Sequence, residues 1–405
     1  MKTNIAKKYH NHTEIQEAES ILRACVHCGF CTATCPTYQE LCDERDGPRG
    51  RIYLIKQLLE GGTVTDKTQT HLDRCLTCRS CETTCPSGVK YGRLIDIARG
   101  VMEESHPRSS IEIQKRKMLR KVLPNAARFA TLLKVGQFLR PLMPSSLKEK
   151  IPQKATSSPW PKGVHSRKMI VLEGCAQPSA TPNTNAAAAR VLDKLDISLV
   201  VAPEAGCCGA VSYHLGAHDE GLDYMRQNID AWWPAIENGA EAIMISASGC
   251  GATVKEYGHL LRLDPKYAEK AQKVSELAKD ISEIILAEDT NALAVQKSAE
   301  RIALHIPCSL QHGLGLPDHV EKIFTNAGFE LTKTKEKHLC CGSAGTYSIL
   351  QPEMSKKLRT RKLEALTGDS PDVIVTANIG CQLHLEGGSS VPVRHWIELL
   401  DQACT

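Results

Sequence analysis

Cys25, Cys28, Cys31 and Cys35 are followed by Pro36, and fifty residues later Cys75, Cys78, Cys81 and Cys85 are followed by Pro86, so the spacing C-x2-C-x2-C-x3-C-P occurs twice. Three thiolates about one helical turn apart cap one face of a [4Fe-4S] cube, while the fourth, set one residue further on and turned by proline, reaches the neighbouring cube. The spacing therefore predicts crossed ligand sets. Cys25, Cys28, Cys31 and Cys85 hold one cluster, and Cys75, Cys78, Cys81 and Cys35 hold the other. The chemistry is single-electron transfer. A zinc site fits poorly, because the third cysteine and the Cys-Pro step are surplus to tetrahedral zinc in both copies. Haem attachment requires C-x-x-C-H, and Gly29, Thr32, Arg79 and Glu82 stand where that histidine would be.

A second set of cysteines is spaced more widely. Cys175, Cys207, Cys208 and Cys250 recur as Cys308, Cys340, Cys341 and Cys381, at offsets of 133, 133, 133 and 131 residues. Gly209 and Gly342 follow the paired cysteines, and Gly249 and Gly380 precede the last of each set. This is an internal duplication. A matching set of four in both copies points to a metal or cluster site in each half, or one shared between them. Burial as small apolar side chains explains one or two such cysteines, not all eight. Cys42 and Cys404 fall outside both patterns and read as free thiols.

The elements that must position these residues follow from local pattern. Short apolar runs at Met169 to Leu172, Ile197 to Val201, Glu241 to Ile245, Arg301 to Ile306 and Val373 to Thr376 read as buried strands. Helical stretches lie between them, at Thr184 to Leu195, Asp219 to Glu237, Pro317 to Ala327 and Glu353 to Leu366. Such alternation predicts parallel sheets covered by helices, with ligands in the crevice beyond the carboxyl ends of the strands, where all eight cysteines fall. Gly209 and Gly342 are expected to let the backbone approach a ligand, and helix-start amides to stabilise an anionic cluster. The predicted fold class is thus α+β multidomain, a helical two-[4Fe-4S] ferredoxin domain followed by two repeated α/β cysteine-rich units. The expected divisions are a ferredoxin-like domain at 1–105, a basic helical linker at 106–165, a first repeat at 166–295 and a second at 296–405.

The 405 residues carry a net charge of only +4, which calls for no nucleic acid partner. Neither a secretory leader nor an eighteen-residue apolar run is present, so the expected location is cytoplasmic. In a reducing compartment eighteen cysteines favour metal ligation over disulfides. Gln114 to Lys148 contains nine basic residues, no acid, and apolar partners including Leu119, Leu132, Leu133 and Phe138. It reads as a linker helix packed on the ferredoxin-like domain or on a partner, with an anionic membrane surface as the competing use. Arg49 and Arg51 sit between the two cluster motifs, where positive charge favours the reduced state. No dinucleotide fingerprint or Walker sequence is present, since Gly313-Leu314-Gly315-Leu316 is too short. Any two-electron oxidation therefore needs a flavin or nicotinamide on another polypeptide.

The segments Ala24 to Pro36, Gly47 to Tyr53, His71 to Cys78, Leu172 to Pro178, Cys207 to Ala210, Asp230 to Ile236, Leu339 to Tyr347 and Ala377 to Cys381 resemble those of the iron-sulfur subunits of bacterial glycolate oxidases, over almost the full length. The resemblance implies an electron-transfer subunit of a membrane-associated glycolate oxidase (glycolate dehydrogenase), in which FAD-containing partner subunits oxidise glycolate to glyoxylate. Electrons then pass towards a membrane acceptor of the quinone type, from a chain peripheral to the inner face of the cell membrane. It also places the duplicated half among the cysteine-rich CCG domains shared with heterodisulfide reductase. The fuller pattern there ends in C-x-x-C, whereas this chain has Cys250-Gly251-Ala252-Thr253 and Cys381-Gln382-Leu383-His384. That departure argues against a five-thiolate cluster, and His384 reads as an ordinary histidine and not as its replacement ligand. The alternatives are the iron-sulfur subunit of a related lactate or glycerol-3-phosphate dehydrogenase, and a heterodisulfide-reductase-like catalytic subunit.

Overall fold

A computed structural model describes residues 1–296 and 299–404. The first hundred residues are helical, and their core is aliphatic. Helix Tyr91–Ser105 is buried along most of its length. Leu94, Ile95 and Ala98 meet Ile15, Ala18 and Leu22 of helix Thr13–Ala24 and Ile52, Ile55 and Leu59 of helix Pro48–Leu59. Fully burying Leu94 and Ile95 contributes roughly 1.5–3 kcal/mol each. The same helix carries Asp96 and Arg99, buried where it meets the first repeat.

The basic segment divides at Pro124. Helix Ser110–Val122 is capped by the Ser109 hydroxyl and packs against the rest of the chain. Arg116 and Leu119 are buried, Arg116 pairs with Asp73 at 3.0 Å, and Arg120 pairs with Glu220 at 2.8 Å. Helix Ala126–Leu139 buries no residue fully and leaves Phe138 83 % exposed, with Leu142 just beyond it at 86 %. Among the described residues, no helix is long and apolar enough to cross a membrane.

The remainder forms two parallel sheets of identical topology. Strands β1 (Arg167–Val171), β2 (Ile197–Val201), β3 (Ile243–Ile245) and β4 (Ala278–Asp280) lie in the order β2-β1-β3-β4. Strands β5 (Arg301–His305), β6 (Glu330–Leu331), β7 (Val373–Thr376) and β8 (Val393–His395) lie in the order β6-β5-β7-β8. The predicted strands are present, with ends shifted by up to two residues. The outermost strands β4, β6 and β8 have two or three residues each, too few to carry a periodic pattern. In each sheet the chain leaves the second-placed strand in one direction and later returns on its other side, which makes a topological switch point.

The two repeats share one core. Val191, Leu192 and Ile285 from the first join Ile302, Trp396 and Leu400 from the second. Helix Asn183–Asp193 meets helix Trp396–Ala403, with Arg190 paired to Asp401 at 2.6 Å and the Thr184 hydroxyl donating to Glu398 at 2.7 Å. The His395 Nε2–H donates to the Ser246 carbonyl at 2.8 Å, while its Nδ1 accepts from the Ile397 amide at 3.3 Å.

Candidate functional site

The two short cysteine motifs are loops rather than helical turns until their third cysteine. Helix Thr13–Ala24 stops at Cys25, and the backbone then passes through His27 (φ +56°) and Gly29 (φ +86°) before helix Phe30–Ala33 begins. The second motif repeats this at Thr77 (φ +53°) and Arg79 (φ +59°) before helix Ser80–Thr83. A continuous helix would string three thiols along one face, whereas left-handed residues curl the loop around a central space. Arg79 takes up this conformation at a cost of about 1–2 kcal/mol, and its guanidinium is held by an ion pair with Glu256 of the first repeat.

The crossed sets come together. One cavity is lined by Cys25, Cys28, Cys31 and Cys85, with Cys81 in its wall, and a second by Cys35, Cys75, Cys78 and Cys81. All eight thiols are free. Burial, and then the neighbouring Cys25, push the Cys31 thiol up to about 11. Burial followed by Cys308 holds the Cys78 thiol well above its ordinary range, and burial followed by Cys78 does so for Cys81. Thiols so crowded and dry do not ionise together without a compensating cation, so the donor set fits a cationic iron core. Arg51 is buried. It lines the second cavity at 1 % exposure, donating to the His71 carbonyl at 2.7 Å and facing Asp46 at 3.4 Å. Arg49 lines the first cavity beside Gly29 and pairs with Glu44 at 2.6 Å.

The cysteines of both repeats line one further cavity of about 290 Å³ at the switch points of the two sheets. Cys175, Cys207, Cys208 and Cys250 form a chain of adjoining thiols, and Cys308, Cys340, Cys341 and Cys381 form another. The local geometry is duplicated too. The Gly209 amide donates to Cys207 Sγ and the Gly342 amide to Cys340 Sγ, each at 3.5 Å. The Ala210 and Ser343 amides serve Cys208 and Cys341 in the same way. The two glycines also serve packing within the protein. Both have φ +88°, and a Cβ would lie 2.6 Å from the Gly221 carbonyl oxygen or 2.7 Å from that of Ser355, so each permits the close approach of a following helix.

The ferredoxin-like part projects into this third cavity. Cys75 and Cys78 line it together with Arg79, Arg99 and Tyr347. Arg99 donates to the Cys75 carbonyl at 2.8 Å and to Thr77 Oγ1 at 2.9 Å, and the Tyr347 hydroxyl donates to the Arg74 carbonyl at 3.1 Å. Glu17 accepts from Arg262 at 2.9 Å and lies 2.8 Å from His259, while Arg361 of the second repeat pairs with Glu40 at 3.0 Å. Sequence reasoning missed Arg99, which looks like one more polar residue on an amphipathic helix, and His305, whose signal lay in comparing the repeats. His384 has its Nε2 3.2 Å from Ser355 Oγ. Cys42 is exposed, and Cys404 packs against the shared core.

Residues 21–89 match the 4Fe-4S dicluster domain, and residues 169–255 and 302–386 each match the cysteine-rich domain. The chain is 55% identical over 404 residues to the glycolate oxidase iron-sulfur subunit of Escherichia coli, covering 100% of this chain and 99% of that one. The chain belongs to the glycolate oxidase iron-sulfur subunit family. A probable glycolate oxidase iron-sulfur subunit of Bacillus subtilis, 29% identical, covers 94% of this family member and 92% of its own length. Lactate utilization protein A of Bacillus licheniformis is 27% identical, over 54% of the chain and 92% of its own length. As a member of this family the chain is an iron-sulfur subunit of an oxidoreductase, with the cofactor class that its cysteine motifs predict.

Proposed function

We propose that the chain is the electron-transfer subunit of a glycolate oxidase, working with FAD-containing partner subunits that oxidise glycolate to glyoxylate and delivering electrons towards a membrane acceptor of the quinone type. In this reading Cys25, Cys28, Cys31 and Cys85 hold one [4Fe-4S] cluster, and Cys75, Cys78, Cys81 and Cys35 hold the second. Clusters bound there accept and release one electron at a time, which lets a two-electron oxidation on a flavin be unloaded stepwise. Cys175, Cys207, Cys208 and Cys250, with Cys308, Cys340, Cys341 and Cys381, provide further metal-binding thiolates.

The observation that carries this reading is the alignment of three thiol-lined cavities with shared walls. Cys81 belongs to the first and second, and Cys75 and Cys78 to the second and third. Adjoining sites suit one-electron exchange. The two ends differ. Around the first cavity Cys28 is exposed, beside Val26 at 67 % and Phe30 at 61 % exposure, a surface that suits a docked partner. Helix Ala126–Leu139 shows apolar and basic side chains to the outside, which suits a peripheral position on an anionic membrane. The test is anaerobic co-purification with partner subunits and EPR after adding glycolate. Reduced [4Fe-4S] signals are expected, and oxidised clusters in a flavin-replete complex overturn the assignment. Lactate as the sole effective reductant would favour the lactate alternative.

A further inference from the structure

The two cysteine-rich repeats match in topology and in their thiols, but not at the ends of their central strands. The pairing of β1 with β3 and of β5 with β7 fixes which residues correspond. Ile170 and Ile243 pair as Ala303 and Ile374 do, so the next positions but one, Leu172 and Ile245, correspond to His305 and Thr376. The first repeat ends its paired strands with two buried apolar side chains. The second places an imidazole and a hydroxyl there, at 1 % and 0 % exposure.

Neither group has a hydrogen-bond partner among the described residues. Both ring nitrogens of His305 and the Thr376 hydroxyl are buried without a hydrogen bond among the described residues. Leaving such a group unsatisfied costs about 1–3 kcal/mol, so each calls for an explanation. The surroundings of His305 supply one. A ring nitrogen of His305, Cys341 Sγ and Cys381 Sγ all lie within 4.8 Å of one another. The Cys340 thiol adjoins that of Cys341, and Cys308 Sγ is 3.8 Å from Cys340 Sγ. A tetrahedral ion with metal–sulfur bonds of about 2.3 Å and metal–nitrogen bonds of about 2.1 Å holds its donors roughly 3.5 Å apart. Small side-chain rotations close the difference.

We infer that His305 is a metal ligand, forming with Cys341 and Cys381 a mixed nitrogen–sulfur site for a thiophilic first-row metal ion, and that Cys340 is the nearest further donor. The first repeat cannot form this site because Leu172 stands in place of the imidazole. The cysteine-rich half therefore holds two chemically different centres. Asn378 donates to Cys381 Sγ at 3.5 Å, and the buried Lys362 ammonium, held by the Glu336 carbonyl at 2.9 Å, offsets thiolate charge at this end. His384 is not among the grouped donors, and its Nε2 lies 3.2 Å from Ser355 Oγ. The inference rests on the reading of the cysteine-rich repeats as metal-binding, and is independent of the partner's substrate.

The test uses the full chain, purified anaerobically, as wild type, His305→Leu and His305→Cys. His305→Leu copies the side chain that the first repeat already accommodates, and far-UV circular dichroism with the EPR of the two ferredoxin-type clusters reports whether each variant folds. Metal analysis and X-ray absorption at the zinc and iron edges then read the site. The expected wild-type result is metal beyond that of the two [4Fe-4S] clusters, with imidazole scattering. At the zinc edge this identifies a zinc ion, and at the iron edge an iron site. His305→Leu should lose about one metal ion per chain, or the imidazole scattering, with both ferredoxin signals kept, and His305→Cys should restore metal with all-sulfur scattering. Unchanged metal content and scattering in a folded His305→Leu chain overturn the inference. Wild type with no metal beyond the two clusters overturns it too, together with metal binding by the repeats, while leaving the ferredoxin-domain reading standing.

Discussion

Cys28 and Arg51 do different work on the same pair of sites. Cys28 is an exposed member of the first cavity's set, so Cys28→Ser should cost that cluster alone. Iron and sulfide analysis should show the loss of roughly one cluster per chain, with the second cluster's EPR signal retained. Arg51 lines only the second of these cavities. A reduced cluster is more negative than an oxidised one, so Arg51→Met should lower the second cluster's potential. One charge about 10 Å away at an effective dielectric of about 20 is worth about 1.7 kcal/mol, or roughly 70 mV. An EPR-monitored redox titration checks this, with a smaller shift expected at the first cluster.

At the scale of elements, each repeat depends on a sharp turn that joins its cysteine pair to the following helix. Gly342 holds φ +88° directly beneath the Ser355 carbonyl, so Gly342→Ala meets both a left-handed backbone and a Cβ contact of 2.7 Å. The two effects together should destabilise the chain by roughly 2–4 kcal/mol, read as a lower thermal unfolding midpoint. Gly209→Ala should behave alike, because its turn is built the same way.

For the whole molecule, the shared core makes the repeats one unit, and His395 ties them together. Burial holds its imidazole down to about 4, against an ordinary value of 6.5, with the Ser246 carbonyl opposing. The folded value is the lower one, so as pH falls the unfolded chain takes up its proton first. The stability His395 contributes is thus present above about pH 6.5 and lost between about 6.5 and 4, where it amounts to about 3 kcal/mol. Thermal unfolding at pH 7 and pH 5 should show a fall in midpoint that His395→Gln reduces.

The cysteine spacings by themselves predict the crossed pairing in the first part of the chain and display the duplication in the second, and the alternation of apolar runs with helical stretches carries the parallel α/β architecture. Each is written in short-range periodicity or in the interval between residue types. Strands β4, β6 and β8 were not legible, because two or three residues at a sheet edge are held there by their neighbours and not by their own pattern. The packing role of Gly209 and Gly342 was hidden for a related reason, since what a missing Cβ avoids is a carbonyl on a following helix. Only tertiary structure decided that Arg51 is buried, that three cavities adjoin, and that His305 faces Cys341 and Cys381. These are contacts between residues far apart in the chain, and they come into being only when the helices and both sheets pack against one another.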